Sequence, residues 1–310
     1  MAEIRSLKFG GLLTAALFAV SPLSPVLAQS ERSTRPPVVA KVEVVQFPVW
    51  IERGGVKAGV KAGWAVYAGD RVITGANGRV ALAVVGDGQL KLGGDSIATF
   101  ATVDLSNAVT EGKEPSLLRI DQGAFHFTAP AISRGERGTG IEVGSGITAN
   151  VLGGQVVGKS DSGLDQIGLI EGNVEVSGSK MTPGRMSKPE TMMAIPRKGR
   201  AQPVSPMPRE KMAQWLSQTG PVSGRPSLVA DGVWDVSLGS GYNQKELETL
   251  ACRIQSRGYP AEMYPVREPG KQVWYRVVVR RFASKQDASG FIRTAQGMGS
   301  QTAWVLLPQT

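Results

Sequence analysis

The 310-residue chain has one cysteine and one histidine. A lone thiol, Cys252, closes no disulfide within the chain, so stability must come from burial even in an oxidising compartment. On a helical wheel Leu247, Leu250, Ala251 and Ile254 share a face and Cys252 falls off it. It reads as a partly exposed spectator thiol, with an intermolecular disulfide as its other reading. A lone histidine, His126, builds no histidine-rich metal site. In Phe125-His126-Phe127, on a predicted strand, it reads as structural. No cofactor and no metal is expected. Long apolar runs are missing too: Phe9 to Val20 is too short to span a bilayer comfortably.

Catalytic constellations are equally absent. Gly144-Ser145-Gly146 lies between predicted strands rather than before a helix, which argues against a phosphate cradle. Gly86-Asp87-Gly88 reads as a hairpin turn. Asp121 and Glu171 fall on separate predicted turns, and no spacing pairs them as acid and base. The chain is expected not to be an enzyme. A cryptic or accessory wall hydrolase is the weakest of the rival readings.

What the chain does have begins with a targeting segment. Arg5 and Lys8 precede the apolar stretch, and Val26-Leu27-Ala28 puts small residues before Gln29. This is the layout of a secretory signal peptide over residues 1–28, cleaved after Ala28, which implies a periplasmic protein. With no cysteine near that point, a lipoprotein is not expected. Membrane association would come only from an uncleaved signal segment, the alternative reading.

Glycine is abundant, at 39 residues, and with frequent Val, Thr and Ile it favours short strands. Residues 40–179 read as an all-β domain. Asn77-Gly78 and Asp87-Gly88 look like tight hairpin turns, for which they supply positive φ. Further strands are predicted at 97–103, 117–121, 124–128, 141–143, 147–151, 155–158, 167–170 and 173–176. Residues 180–230 hold eight prolines and 9 Lys/Arg against 2 Asp/Glu, so most of the net charge of +9 sits there. They read as a basic, solvated linker with one short helix near 208–217, where Met212, Trp215 and Leu216 have helical spacing.

Residues 231–310 read as a second domain of order β-α-β-β-α-β, one antiparallel sheet with both helices on one face. Asn243 is the expected cap of the first helix and Gly258 follows its end; Ser284 caps the second. Period-2 alternation then sorts the strands. Trp274, Arg276, Val278 and Arg280 face away from the helices, as do Asp235, Ser237, Trp304, Leu306, Glu262 and Tyr264. Aromatic faces stack on sugar rings, and arginine forks grip carboxylates. A glycan bearing carboxylates satisfies both. Single-stranded nucleic acid suits the same surface, but export argues against it, and no nucleic-acid partner is expected. The competing reading has Trp274 and Trp304 covered by the linker or its helix.

Two resemblances go with these residues. Gly69-Asp70, Thr74-Gly75 and Asp87-Gly88, within the run from Gly63 to Phe100, resemble the core of the FecR-type domain. Leu118 to Ala124 and Leu169 to Val176 continue that pattern. This implies a scaffold or interaction module with a possible envelope protein partner. An anti-sigma segment and membrane helix, usual before this domain in iron-uptake regulators, are replaced by the signal peptide. Trp234 to Ser240, the helix with Cys252 and Gly258, and Trp274-Tyr275-Arg276-Val277-Val278-Val279 before Phe282 resemble the SPOR domain. The SPOR resemblance implies binding to peptidoglycan glycan strands stripped of peptides, as at division septa. It implies Trp274, Arg276 and Ser240 as contacts. Ser237 stands where the family often has Gln, and Arg280-Arg281 replace Gly-Pro. The expected binding set is Trp274, Arg276, Ser237, Ser240, Arg280, Trp304 and Tyr264. The expected protein is multi-domain: an all-β FecR-like domain followed by an α+β SPOR-like sheet domain. It would bind peptidoglycan, with a FecR-type sensor of envelope signalling as the alternative.

Overall fold

The computed structural model describes residues 36–101, 116–132, 138–178 and 181–307. The expected signal peptide lies outside the described residues. The described chain is mostly β-sheet with few helices. None of those helices is long and apolar enough to cross a membrane.

Eight short strands come first: β1 (Val38–Gln46), β2 (Val49–Arg53), β3 (Val56–Gly59), β4 (Ala65–Tyr67), β5 (Arg71–Thr74), β6 (Arg79–Val84), β7 (Gly88–Leu92) and β8 (Ile97–Phe100). Asp87, at φ 60°, turns β6 into β7 as a hairpin, with Val84 opposite Gly88. The expected Asn77-Gly78 hairpin does not form. Neither residue has positive φ, β5 pairs with β2 and β8, and β6 pairs with β1 and β7. The segment is a corner between different strand sets. Gly78 is needed there for close approach, since a Cβ would fall 2.2 Å from the Pro48 carbonyl oxygen.

Three long strands follow around a short one: β9 (Ser116–Ala129), β10 (Thr139–Val143), β11 (Ile147–Ser160) and β12 (Leu164–Ser177). Six of the shorter strands expected from sequence are thereby fused into three. Glycines that read as turns are bends inside continuous strands. Before Gly123 (φ 91°), β9 pairs with β8 and β10; after it, with β7 and β11. Gly154 and Gly172 sit opposite each other where β11 and β12 bend together, both at positive φ. Strands that bend this way serve two sheets and wrap the apolar side chains between them.

Residues 181–230 are not a solvated spacer. They form β13 (Gly184–Met186), β14 (Thr191–Pro196), β15 (Ser205–Pro206), helix α1 (Arg209–Thr219) and β16 (Ser227–Val229). β13 and β14 both pair with β12. The prolines misled because they avoid ladder interiors: Pro196 ends β14, Pro206 lies on the two-residue β15, Pro208 precedes α1, and the others lie between elements. Between them Met186, Met192, Met193, Ile195 and Met207 are buried, a hydrophobic set large enough to order the segment. Helix α1 docks on the β unit. Trp215 is buried with Val157, Met192 and Met207, and Lys211 donates to Gln166 Oε1 at 2.9 Å.

The last part holds β17 (Trp234–Gly241), α2 (Gln244–Ser256), β18 (Glu262–Val266), β19 (Trp274–Phe282), α3 (Lys285–Gly297) and β20 (Trp304–Leu306). The sheet order is β18-β19-β17-β20, every pair antiparallel. Asn243 accepts from Glu246 N and Ser284 from Asp287 N, satisfying exposed donors of each first turn. Gly258 follows α2 at φ 83°. The capping box at α3 is half formed: the Asp287 carboxylate reaches back to the Ser284 hydroxyl, not to its backbone N–H, and its other oxygen accepts from Ser227 N.

The β unit and this sheet are joined directly. β16 pairs with β1 on one side and with the end of β19 on the other. Phe47 lies 4.8 Å from Tyr259 and 5.8 Å from Phe291, centroid to centroid. Val49 N donates to Gly258 O at 3.2 Å. Gln46 clamps the chain entering β16, accepting from Val222 N and donating to Val222 O and Arg225 O. One continuous hydrophobic core runs through both parts.

Candidate functional site

Helices α2 and α3 bury Leu247, Ala251, Ile254, Ala288, Phe291 and Ala295 against Val236, Leu238, Val277 and Val279. That fixes the covered side of the sheet. The register then fixes the open side. Ser237 faces Val278 and Trp304, Asp235 faces Leu306, Glu262 faces Val278, and Tyr264 faces Arg276. A bulge between Ser237 and Gly239 adds one residue to β17 and turns Ser240 back to the open side, opposite Arg276. Strict alternation from Leu238 would have turned it inward.

Arg276 is the centre of this surface. Its guanidinium carbon lies 4.8 Å from the Trp274 ring centroid and 5.9 Å from that of Trp304. Such stacking holds the fork flat and leaves its edge free for hydrogen bonds. Its Nε is buried and has no hydrogen-bond partner. The Trp274 indole donates to Glu268 Oε1 at 3.3 Å. The Glu268 carboxylate is held below its usual range, first by a hydrogen bond from Lys271 and then by this indole. Trp304 is 38% exposed, so neither the 180–230 segment nor helix α1 seals the face.

Arg280 is exposed and stacks on Tyr264, at 4.9 Å. It sits 3.8 Å from both Asp235 and Glu262, a loose pairing that leaves its hydrogen-bonding capacity largely unspent. A cleft of about 340 Å³ opens beside it, lined by Asp235, Tyr264, Arg276, Arg280, Leu306 and neighbours. The cleft thus sets stacking surfaces beside cations.

One sequence expectation needs correcting. Ser237 faces the open side but is fully buried, and its hydroxyl has no partner. It forms floor beneath larger side chains, not an exposed contact. Arg281 stands at the edge of the open face, where it lines the cleft beside Arg280. At φ 70° it turns toward the β unit, where its Nη1 donates to Ala62 O at 3.1 Å and Ala230 O at 2.9 Å. Asp235 Oδ1 accepts from its backbone N–H at 3.1 Å and helps hold this unfavoured conformation. Sequence reasoning missed that Lys61 and Trp64 reach this edge of the sheet. No local signal marks them, because the juxtaposition depends on docking of the two parts.

His126 is a satisfied structural side chain. It is nearly buried in β9 and pairs with Gln155 Oε1 at 3.2 Å. Cys252 is free and exposed.

Residues 230–306 match the SPOR domain family model. The C-terminal sheet with its two helices is therefore a SPOR domain. No curated protein matches the chain. Two crystal structures of a candidate anti-sigma factor from Parabacteroides distasonis ATCC 8503 are similar to it at 14% identity and a TM-score of 0.38. One alignment covers 47% of this chain and 64% of that one; the other covers 73% and 91%. A TM-score this low carries no argument about the fold or role of the β unit.

Proposed function

We propose that this chain is an exported envelope protein that binds peptidoglycan through the open face of its SPOR domain, on glycan strands freed of their peptides. The carrying observation is the group Trp274, Arg276 and Trp304. It sets a guanidinium with an unpaired, buried Nε between two indoles on an uncovered sheet. Denuded strands expose lactyl carboxylates among sugar rings, and this group offers a partner to each. Arg280, Tyr264 and Ser240 extend it along the sheet. The layout of residues 1–28 supports export, and such strands gather where septal wall is processed, which links the protein to cell division. In this reading the β unit is a FecR-type module that faces a protein partner in the envelope. The division between the two parts falls near residue 230.

The full chain should co-sediment with sacculi pretreated with an amidase, and much less with untreated sacculi. Arg276→Ala should weaken the binding about tenfold or more, the scale of a lost charge-assisted hydrogen bond. Equal sedimentation with both sacculi, or an unaffected variant, would contradict the proposal.

A further inference from the structure

The cleft over the SPOR sheet continues past the sheet edge. Arg280 and Arg281 also line a second cleft of about 220 Å³, together with Lys61, Ala62, Gly63 and Trp64 from the turn between β3 and β4. Across this edge the charges form a chain. Lys61 is ion-paired with Glu262, and Glu262 lies 3.8 Å from Arg280. Each cation also stacks on a ring: Lys61 over Trp64 at 4.8 Å, Arg280 over Tyr264 at 4.9 Å, and Arg276 over Trp274 at 4.8 Å. Of the cation-on-ring pairs on the β unit, the one formed by Lys61 and Trp64 lines this shared edge.

The turn is held rigidly. Arg281 grips the Ala62 carbonyl, and Gly63, at φ 87°, passes so close that a Cβ would meet the Arg281 guanidinium at 2.3 Å. Lys61 and Trp64 therefore keep a fixed position relative to the sheet. Charge balance points the same way. Lys61, Arg280 and Arg281 meet at this edge against two carboxylates, Glu262 in its lining and Asp235 beside Arg280, so one positive charge is left to favour an anion. Partial burial, and then the nearby Arg280 and Arg281, hold the Lys61 ammonium below its usual range.

We infer that Lys61 and Trp64 of the β unit form an additional subsite for the same acidic glycan, so that a bound strand crosses from the SPOR sheet onto the β unit. This rests on the reading of the open sheet face as a glycan site. A polymer with a repeating carboxylate makes use of a repeating cation-on-ring motif; a short fragment does not. Length dependence of binding is the signature.

The test measures affinity of the full chain for peptide-free muramic glycan fragments, comparing a tetrasaccharide with strands several times longer. Lys61→Gln should weaken the long strands about tenfold and leave the tetrasaccharide unchanged. Trp64→Leu should do the same, and thermal unfolding of each variant reports whether its fold survives. If Trp64→Leu fails to fold, Lys61→Gln still decides. Long strands bound as tightly by Lys61→Gln as by the parent would overturn the inference, and so would an equal loss for both lengths. Arg276→Ala separates the two readings, since it should weaken both lengths. Should it retain both affinities, the sheet-face reading falls and the extension falls with it.

Discussion

Arg276 shows how one side chain takes its role from its neighbours. Trp274 and Trp304 flank its guanidinium, and Tyr264 and Ser240 sit opposite it in the register. Alternation along β19 was enough to put Trp274, Arg276 and Arg280 on one side. Depth was not legible. Ser237 and Val278 share that side but are fully buried, because small or short side chains disappear beneath long ones. His126 carries a separable prediction. Burial pushes its pKa below the ordinary histidine value, against a smaller opposing effect of Gln155. The unfolded chain therefore binds a proton more readily than the folded one. The stability tied to neutral His126 is complete above the unfolded pKa, near 6.5, and is lost as pH falls below it. His126→Gln should flatten the fall in melting temperature between neutral pH and pH about 5. A variant with an unchanged pH profile would remove His126 from the account.

At the scale of elements, glycine was the residue most often misread from sequence. Gly-Asn and Gly-Ala pairs in an apolar stretch look like turns, yet Gly172 and Gly123 bend strands that continue through them. The bends are set by contact with another strand or corner, which local pattern does not carry. At Gly172 a Cβ would fall 2.0 Å from the Gly153 carbonyl oxygen, at φ 92°. Gly172→Ala should cost about 2–4 kcal/mol from strain and crowding together. Gly184→Ala, in β13, meets nothing within 4 Å and has ordinary φ. It should stay within about 0.5 kcal/mol of the parent. Denaturant titration of the two variants checks the contrast, and equal stabilities would refute the bend as a packing constraint. The same blindness to long-range contact made 180–230 look like a spacer. Its buried methionines are irregularly spaced, and only β12, to which β13 and β14 pair, reveals what they face. By contrast the β-α-β-β-α-β order was legible, because local signals write it: Asn243 and Ser284 at the caps, Gly258 after α2, and period-2 strands.

The whole molecule differs most from the expectation of two domains on a tether. Leu228 in β16 touches both sheets through its pairings, and Phe47, Tyr259 and Phe291 form a cluster across the boundary. A core shared in this way fixes one part against the other, where a solvated linker would leave them independent. The open sheet face is then presented in a set orientation beside the turn that carries Lys61 and Trp64. Six tryptophans make this testable in one experiment. Isotope-labelled indole NMR of the full chain, titrated with peptide-free glycan strands, reads each ring separately. Trp274 and Trp304 flank the Arg276 guanidinium, whereas Trp215, on helix α1, is buried against Val157, Met192 and Met207. If the open face holds the strand, the Trp274 and Trp304 signals shift and saturate while Trp215 stays in place. Trp274 and Trp304 signals that stay fixed at saturating glycan would contradict it.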